Sequence, residues 1–183
     1  GVDDATQELL SDIRTRILSL AAVHESLYRS PELDVIVVAD YVDRVVREID
    51  QGYLPDASGI RIVQSIDPTL RLHIDVAIPL GMILSELVIN GIKHAFPRDR
   101  EYREQPKITI QASREESGSV MVVKVIDNGC GMPSDQQTSS FGMTLVRTLA
   151  EQLDAAVENT PADGESSLNR GTLWRIEIPL ERT

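Results

Sequence analysis

Residues 76–96 read VAIPLGMILSELVINGIKHAF, a long and mostly apolar segment that predicts a single helix. Glu86, Asn90 and Lys93 recur in it at spacings of four and three residues, so they lie along one line of that helix. A carboxylate, an amide and an ammonium are costly there if they are buried without a purpose. The line is either a solvated face with a polar pair, or a metal–phosphate edge. In the second interpretation Asn90 binds Mg²⁺, Glu86 acts as general base and Lys93 meets a phosphate.

A second feature, Asp127-Asn-Gly-Cys-Gly131, directly follows a strand-like alternation at 120–126. Asn-Gly after such a run usually indicates a tight hairpin, but residues 132–140 are polar and aperiodic and do not continue as a return strand. Gly129 and Gly131 would let the backbone approach a flat ligand closely. Asp127 can accept a hydrogen bond from an exocyclic amine, which suits adenine and opposes guanine, since guanine presents a carbonyl there.

Two further motifs are weaker when each is taken alone. Phe141, Gly142 and Met143 begin a helix predicted at 141–153, and helix N-termini bind phosphate through their unpaired N–H groups. A simple serine cap is the alternative for that segment. Asn169-Arg-Gly-Thr172 precedes a strand and by itself indicates only a turn.

The remaining pattern predicts the architecture. Helices are expected at 6–28 and 39–52, and strands at 60–66, 70–74, 107–112, 120–126, 155–159 and 172–179. The order of these elements predicts an α/β two-layer sandwich, in which a mixed sheet carries helices on one face. One or two N-terminal helices precede this sandwich.

Composition limits the partners that the chain can have. Among its 183 residues, 18 Lys and Arg stand against 29 Asp and Glu, and the resulting net charge of −11 disfavours general binding to nucleic acid or anionic lipid. We find no apolar run that approaches the roughly 20 residues needed to span a bilayer, and we expect no membrane contact by this segment. The one cysteine, Cys130, excludes an internal disulfide and fits a reducing, cytoplasmic setting.

In this order, the four motifs resemble those of the gyrase/chaperone/histidine-kinase/mismatch-repair (GHKL) ATPase superfamily. Residues 86–96 resemble its N box, 127–131 its first glycine box, 141–146 its second, and Gly171-Thr172 its third. Residues 93–97 and 22–30 are similar to sensor histidine kinases of the HisKA_2/HWE-like group. The resemblance covers about residues 8 to 180. Gly91 departs from it, because the family usually has alanine there.

The resemblance implies a Bergerat-type ATP-binding fold with ATP and Mg²⁺ as cofactors. It divides the chain into residues 1–33, the second helix of a truncated dimerisation and phosphoacceptor hairpin, and residues 34–183, the ATP-binding catalytic domain. It also implies a cytoplasmic location, a response regulator as partner, an upstream sensor domain, and a homodimer through the N-terminal helices. The implied catalytic residue is Glu86, the metal ligand is Asn90 with Glu86 as a second candidate, and the nucleotide-binding residues are Asn90, Lys93, Asp127, Gly129, Gly131, Phe141, Gly142, Met143 and Thr172.

In such kinases the phosphorylated histidine lies on the first helix of the hairpin, which residues 6–28 do not resemble. We therefore expect the phosphoacceptor upstream of Gly1, and we expect this chain not to phosphorylate itself. The leading glycine, without a methionine, likewise indicates a longer natural protein. His24 continues the apolar seam of its predicted helix and is interpreted as a packed residue. His73 is interpreted as an ordinary strand residue, and His94 as a structural one.

Two other functions stay open on the sequence alone. One is a serine kinase of the same superfamily that acts as an anti-sigma factor, which the predicted helix at 6–28 argues against. The other is an adaptor that binds ATP and signals by shape without phosphoryl transfer. Glu86 argues against the adaptor, since a pure binder does not need a base.

Overall fold

The structure is a computed structural model, and it describes residues 35–53, 59–97, 102, 104–116, 118–131, 141–162 and 171–180. The helix predicted at 6–28, with His24, lies outside the described residues, and so do residues 132–140 between the first two glycine boxes. In chain order the elements are β1 (Val35–Val37), α1 (Val38–Tyr53), β2 (Arg61–Ile66), β3 (Arg71–His73), α2 (Ile74–Asn90), a π-helical turn (Gly91–Ala95), β4 (Lys107–Arg114), β5 (Val120–Asp127), α3 (Phe141–Gln152), β6 (Ala156–Pro161) and β7 (Thr172–Pro179).

A five-stranded sheet forms one layer, in the order β2-β4-β5-β7-β6. β2 pairs with β4 in parallel and the other three pairs are antiparallel, so the sheet is mixed, as the sequence predicted. Alternate strand residues point to one face and are fully buried, among them Ile110, Met121 and Ile176. The three helices α1, α2 and α3 contribute buried residues to the same core, which makes the second layer of the sandwich.

α2 is the central helix of the core, and it is apolar on nearly all of its surface. Within the described part of the chain, Ile74–Ala95 is also long and apolar enough to cross a membrane by length and composition alone, which the sequence analysis did not anticipate. Its most apolar stretch is 67% buried inside the domain. Burial between the sheet and the other helices therefore accounts for its composition.

The two strands predicted at 60–66 and 70–74 are present before α2, as β2 and β3, and a turn joins them. β3, however, pairs with β1 in a separate two-stranded sheet. The chain leaves the large sheet at Asp67, whose carboxylate accepts hydrogen bonds from the backbone N–H of Thr69 at 2.8 Å and from its hydroxyl at 2.7 Å. His73 then caps α2, since its Nδ1 accepts from the backbone N–H of Asp75 at 3.4 Å.

α1 and α2 approach each other closely at one glycine. A Cβ atom at Gly81 would overlap the phenol of Tyr41, so only glycine lets this ring lie against α2. Tyr41 is 3% exposed, and its hydroxyl has no hydrogen-bond partner among the described residues. Burial raises the pKa of this phenol far above its usual range, which keeps it neutral. The contact fixes α1, and with it Tyr53, against the helix that carries Glu86 and Asn90.

Candidate nucleotide-binding site

Asp127 is the last residue of β5 and a buried carboxylate, with 7% of its surface exposed. Its Oδ1 accepts the backbone N–H of Gly129 at 2.9 Å, and it also accepts hydrogen bonds from Thr172, the facing residue on β7. Burial raises the pKa of the Asp127 carboxyl, while the hydrogen bonds from Gly129 and Thr172 oppose that rise. A desolvated acceptor fixed by its neighbours is suited to the recognition of a neutral amine.

Gly129 is required by close packing inside the protein. A Cβ atom there would overlap the backbone carbonyl of Ala95, at the end of the π-helical turn. The sequence predicted that this glycine lets the backbone approach a flat ligand, and the structure adds a second reason, which is the close approach of two backbone segments. Gly171 is constrained in the same way, with a φ of +48° and a Cβ position that would overlap the carbonyl oxygen of Asp127.

Hydrogen bonds hold the first glycine box in place on both sides. Asn128 Oδ1 accepts the backbone N–H of Lys107 at 2.7 Å, and its Nδ2 donates to the carbonyl of Gln105 at 3.1 Å. On the other side, the backbone N–H of Cys130 donates to the carbonyl of Ala95 at 2.9 Å. The box is therefore tied both to the start of β4 and to the end of the helix that contains the N box.

Glu86 and Asn90 lie one turn apart on α2, as their spacing predicted. Glu86 is 3% exposed, and Asn90 is partly buried. Asn90 Nδ2 lies 3.8 Å from the sulfur of Met143 on α3 and donates toward it, a weak interaction that directs the amide nitrogen to the neighbouring helix. The carbonyl oxygen of Asn90 is then the part of the side chain that suits a cation.

Lys93 lies in the π-helical turn that follows Asn90, and its side chain is exposed. Its Nζ is 5.5 Å from the centre of the Tyr53 ring, at the end of α1, which is within the range of a cation–π contact. A π-helical turn inside a helix is rare and is frequent at functional sites. The sequence predicted a continuous helix here and gave no signal for the change of register.

The structure brings five of the ten predicted site residues into two groups. Asp127, Gly129 and Thr172 are joined by hydrogen bonds, and Asn90 contacts Met143. Gly142 is buried in the first turn of α3, and Gly131 has a φ of +76°, which favours glycine. Phe141 begins α3, but its side chain lies outside what the structure describes.

The chemistry of these donors fits a magnesium–nucleotide complex. Among the described residues, no group of three or more His, Cys, Asp and Glu side chains could hold a metal ion alone. Mg²⁺ is commonly held by one or two protein oxygens together with substrate phosphates and water. The structure offers one or two such oxygens on one line of α2, from the amide of Asn90 and the buried carboxylate of Glu86.

Three residues that shape the site were not predicted from the sequence. Asn128 anchors the glycine box, Tyr53 contacts Lys93, and His73 caps α2 in addition to ending β3. Asn128 and Tyr53 act on residues that are 21 and 40 positions away in the chain, so no local pattern could have identified them. The Asn-Gly pair at 128–129 marked this position in the sequence, but such a pair after a strand indicates a hairpin and not an anchor to β4.

Solved structures of histidine kinases share this fold. The histidine kinase domain of the blue-light activated histidine kinase of Erythrobacter litoralis superposes with a TM-score of 0.76 at 22% identity, and the match covers 92% of this chain and 74% of that one. The mycobacterial sensor histidine kinase MprB gives a TM-score of 0.63 at 16% identity, over 81% of this chain and 98% of that one. The fold is therefore the two-layer sandwich of histidine kinase catalytic domains.

Family comparison then defines the chain more closely. The family described as histidine kinase-, DNA gyrase B-, and HSP90-like ATPase matches residues 75–182, and the HisKA_2 family, described as histidine kinase, matches residues 2–53. Because the first match covers more than half of the chain, this protein belongs to the histidine kinase-, DNA gyrase B-, and HSP90-like ATPase family. The predicted resemblance to this superfamily and to the HisKA_2 group is confirmed.

The curated relatives are sensor histidine kinases. Sensor histidine kinase PdtaS of Mycolicibacterium smegmatis is 31% identical over a match that covers 94% of this chain and 34% of that protein. Blue-light-activated histidine kinase 2 of Erythrobacter litoralis is 25% identical, over 81% of this chain and 40% of that protein. The chain thus spans between 34% and 40% of the length of these relatives. The comparisons favour the histidine kinase interpretation over the serine kinase and the adaptor.

Proposed function

We propose that this chain is the ATP-binding catalytic part of a sensor histidine kinase, which transfers the γ-phosphoryl group of ATP to a histidine outside the chain. The observation that carries the proposal is Glu86, a buried carboxylate one turn from Asn90 on the central helix of a domain in this ATPase family. A protein that only bound nucleotide would not need a carboxylate at that position.

In this proposal the base of the nucleotide is recognised at the end of β5. Asp127 accepts a hydrogen bond from the exocyclic amine of adenine, and its fixed position excludes guanine. Gly129, Gly131 and Thr172 shape the surface around it. Phe141, Gly142 and Met143, at the start of α3, contact the nucleotide with the unpaired N–H groups of that helix near its phosphates.

The phosphates face the line of polar residues on α2 and the turn that follows. Asn90 holds Mg²⁺, with Glu86 as a second candidate ligand, and Lys93 meets a phosphate oxygen. Bound Mg²⁺ neutralises charge on the phosphates. Glu86 takes or orients the proton of the attacking imidazole, and the remaining work of the site is positioning and charge stabilisation.

The organisation of the natural protein is also a proposal. We place the domain boundary between residues 33 and 34, because β1 begins at Val35, pairs with β3, and leads into a helix whose apolar face joins the core. The segment before it would be the second helix of a dimerisation hairpin, with the phosphoacceptor histidine and a sensor domain upstream. The partners would be a second copy of the kinase and a response regulator, and we propose a cytoplasmic location for this segment.

A comparison of Glu86→Gln with the wild type in the full-length protein tests the mechanism. The change should lower the rate of phosphohistidine formation by about 10²–10⁴, the usual range for a positioned base, and should keep ATP affinity within about threefold. The measurement is transfer of ³²P from γ-labelled ATP, with affinity measured separately by calorimetry. Glu151→Gln, on the exposed side of α3, is the matched control and should change neither quantity.

The outcome also separates the candidate functions. Label that is lost in acid identifies phosphohistidine, acid-stable label would indicate the serine kinase, and binding without label would indicate the adaptor. The present chain alone should bind ATP and stay unlabelled. Acid-labile label on it that His24→Ala removes would overturn our interpretation of His24, and unchanged transfer in Glu86→Gln would remove the role of general base.

A further inference from the structure

The contact between Lys93 and Tyr53 joins two elements that are distant in the chain. Tyr53 is the last residue of α1, and its ring packs partly buried against the core. Lys93 is exposed in the turn after α2, and its Nζ lies 5.5 Å from the centre of that ring. The ring is held by packing while the lysine has four rotatable bonds, so the ring restricts the lysine rather than the reverse.

We propose that Tyr53 is a positioning residue, which holds the Lys93 ammonium for the phosphates of the nucleotide. This inference rests on the proposed phosphate contact of Lys93. A flexible lysine loses conformational entropy when it meets a phosphate, and a contact that already restricts it reduces that loss. The face of an aromatic ring attracts a cation through its quadrupole and carries no net charge, so it orients the ammonium without neutralising it.

The place of Tyr53 in the fold supports this role. α1 is fixed against α2 by the close contact of Tyr41 with Gly81, so the position of Tyr53 relative to the turn at Gly91–Ala95 is set by the core. The turn itself is tied down at its end, because the carbonyl of Ala95 accepts the N–H of Cys130. The ring and the lysine therefore meet between two anchored backbone segments, which is the arrangement that a positioning contact needs.

Tyr53→Leu tests the proposal through the affinities for ATP and for adenosine, which share the base and differ in the phosphates. We expect ATP binding to weaken about two- to fivefold, the fold-change that corresponds to an exposed cation–π contact, with adenosine binding unchanged. Tyr53→Phe keeps the ring and should restore ATP affinity to nearly the wild-type value. In a Lys93→Met background, Tyr53→Leu should have no further effect on either ligand.

Equal weakening of ATP and adenosine binding by Tyr53→Leu, or the same loss in the Lys93→Met background, would overturn the proposal and leave Tyr53 a structural residue. If Lys93→Met itself leaves the ratio of the two affinities unchanged, the phosphate contact of Lys93 in the proposed function is wrong, whatever Tyr53 does. Should the leucine variant fail to fold, fluorinated phenylalanines at position 53 keep the shape and reduce the quadrupole. ATP affinity should then fall with each added fluorine, and a flat series would contradict the proposal.

Discussion

The two halves of the candidate site are built from contacts of different strength. On the side of Asp127, the buried carboxylate and the glycine box are held by hydrogen bonds of 2.7–3.1 Å that involve Gly129, Asn128 and Cys130. On the side of α2, Asn90 donates toward a thioether at 3.8 Å and Lys93 lies 5.5 Å from the centre of an aromatic ring. The first set is strong and directional, and the second set is weak and adaptable.

This difference matches what each half has to bind in the proposed function. A purine is flat, neutral and rigid, so a fixed acceptor recognises it without rearrangement. Phosphates and their metal ion change charge and position during transfer, and a side chain held by a weak contact, such as Lys93 against the Tyr53 ring, can shift with the ligand and keep that contact. In the proposed function, the Asp127 side is therefore a preorganised base-binding half, and the α2 side is a phosphate-binding half that adapts.

Asp127→Asn should break the preorganised half and produce the largest effect on binding. An amide can turn its own donor toward the adenine amine and cannot supply the charge-assisted bond of a carboxylate, so ATP affinity should fall by about 1.5–3 kcal/mol, roughly ten- to a hundredfold. Calorimetry measures this loss, with Asp50→Asn on the exposed side of α1 as the matched control. Equal affinity of the wild type for ATP and GTP would contradict the adenine assignment.

The pH dependence of binding is a second readout of the same carboxylate. Because burial raises the pKa of Asp127 above its ordinary 3.8, ATP affinity should fall at a higher pH than for an exposed aspartate as the solution is acidified. Acidification should have the opposite effect on the contribution of Asp127 to folding stability. A folded-state pKa above the unfolded value means that protonation of Asp127 favours the fold, so this carboxyl adds to the stability of the free domain as pH falls through that window. The contribution of Asp127 to both trends should be absent from Asp127→Asn.

Asn90→Ala should affect the adaptable half alone and have a smaller effect. The Mg²⁺-dependent part of ATP affinity should fall by about tenfold, since one oxygen ligand is lost, while metal-free binding of adenosine stays nearly unchanged. ATP titrations with and without Mg²⁺ measure the metal-dependent part of the affinity, and an adenosine titration without metal measures the rest. Asn90→Asp keeps an oxygen at the same position and should restore much of the Mg²⁺-dependent part. If Asn90→Ala lowers the Mg²⁺-dependent ATP affinity and the metal-free adenosine affinity together, Asn90 is a structural residue.

The sequence predicted the elements well because their signals are local. The apolar run around Glu86 and the alternation at 120–126 placed the start of α2 and both ends of β5 within about two residues, and the predicted helix end at residue 96 lies one residue beyond the π-helical turn that follows α2. The spacing of Glu86 and Asn90 correctly placed them one turn apart, since four residues make about one turn of any α-helix.

The tertiary contacts of the site could not be predicted from these local periodicities. Asn128 binds the start of β4, and Gly129 packs on Ala95, more than 30 positions earlier in the chain. Such contacts depend on how strands and helices are brought together, and no period of a single segment encodes them. The separation of β2 and β3 into two sheets was missed for the same reason.

Gly91→Ala tests the packing between the two halves of the site, where Gly91 meets Ile108, and it should have the smallest effect of these substitutions. Gly91 directly follows Asn90, and its φ of −58° is one that alanine readily adopts. Alanine gains about 1 kcal/mol in helix propensity. Its Cβ, however, would lie 3.0 Å from Cδ1 of Ile108, the residue that faces Asp127 across the β4–β5 ladder. We expect these terms to cancel to within about 0.5 kcal/mol in the free energy of unfolding.

A second substitution separates the two terms. Ile108→Val removes the Cδ1 atom and should by itself destabilise the domain by about 0.5–1.5 kcal/mol. In that background Gly91→Ala no longer meets the contact, so it should stabilise the domain by about 0.5–1 kcal/mol, a favourable coupling measurable by urea unfolding of all four proteins. A loss above about 1 kcal/mol in both backgrounds would contradict this account. It would mean that the chain requires glycine at position 91 for a reason other than the contact with Ile108. The packing of Gly91 would then tolerate substitution less well than the weak contacts on the α2 side of the site.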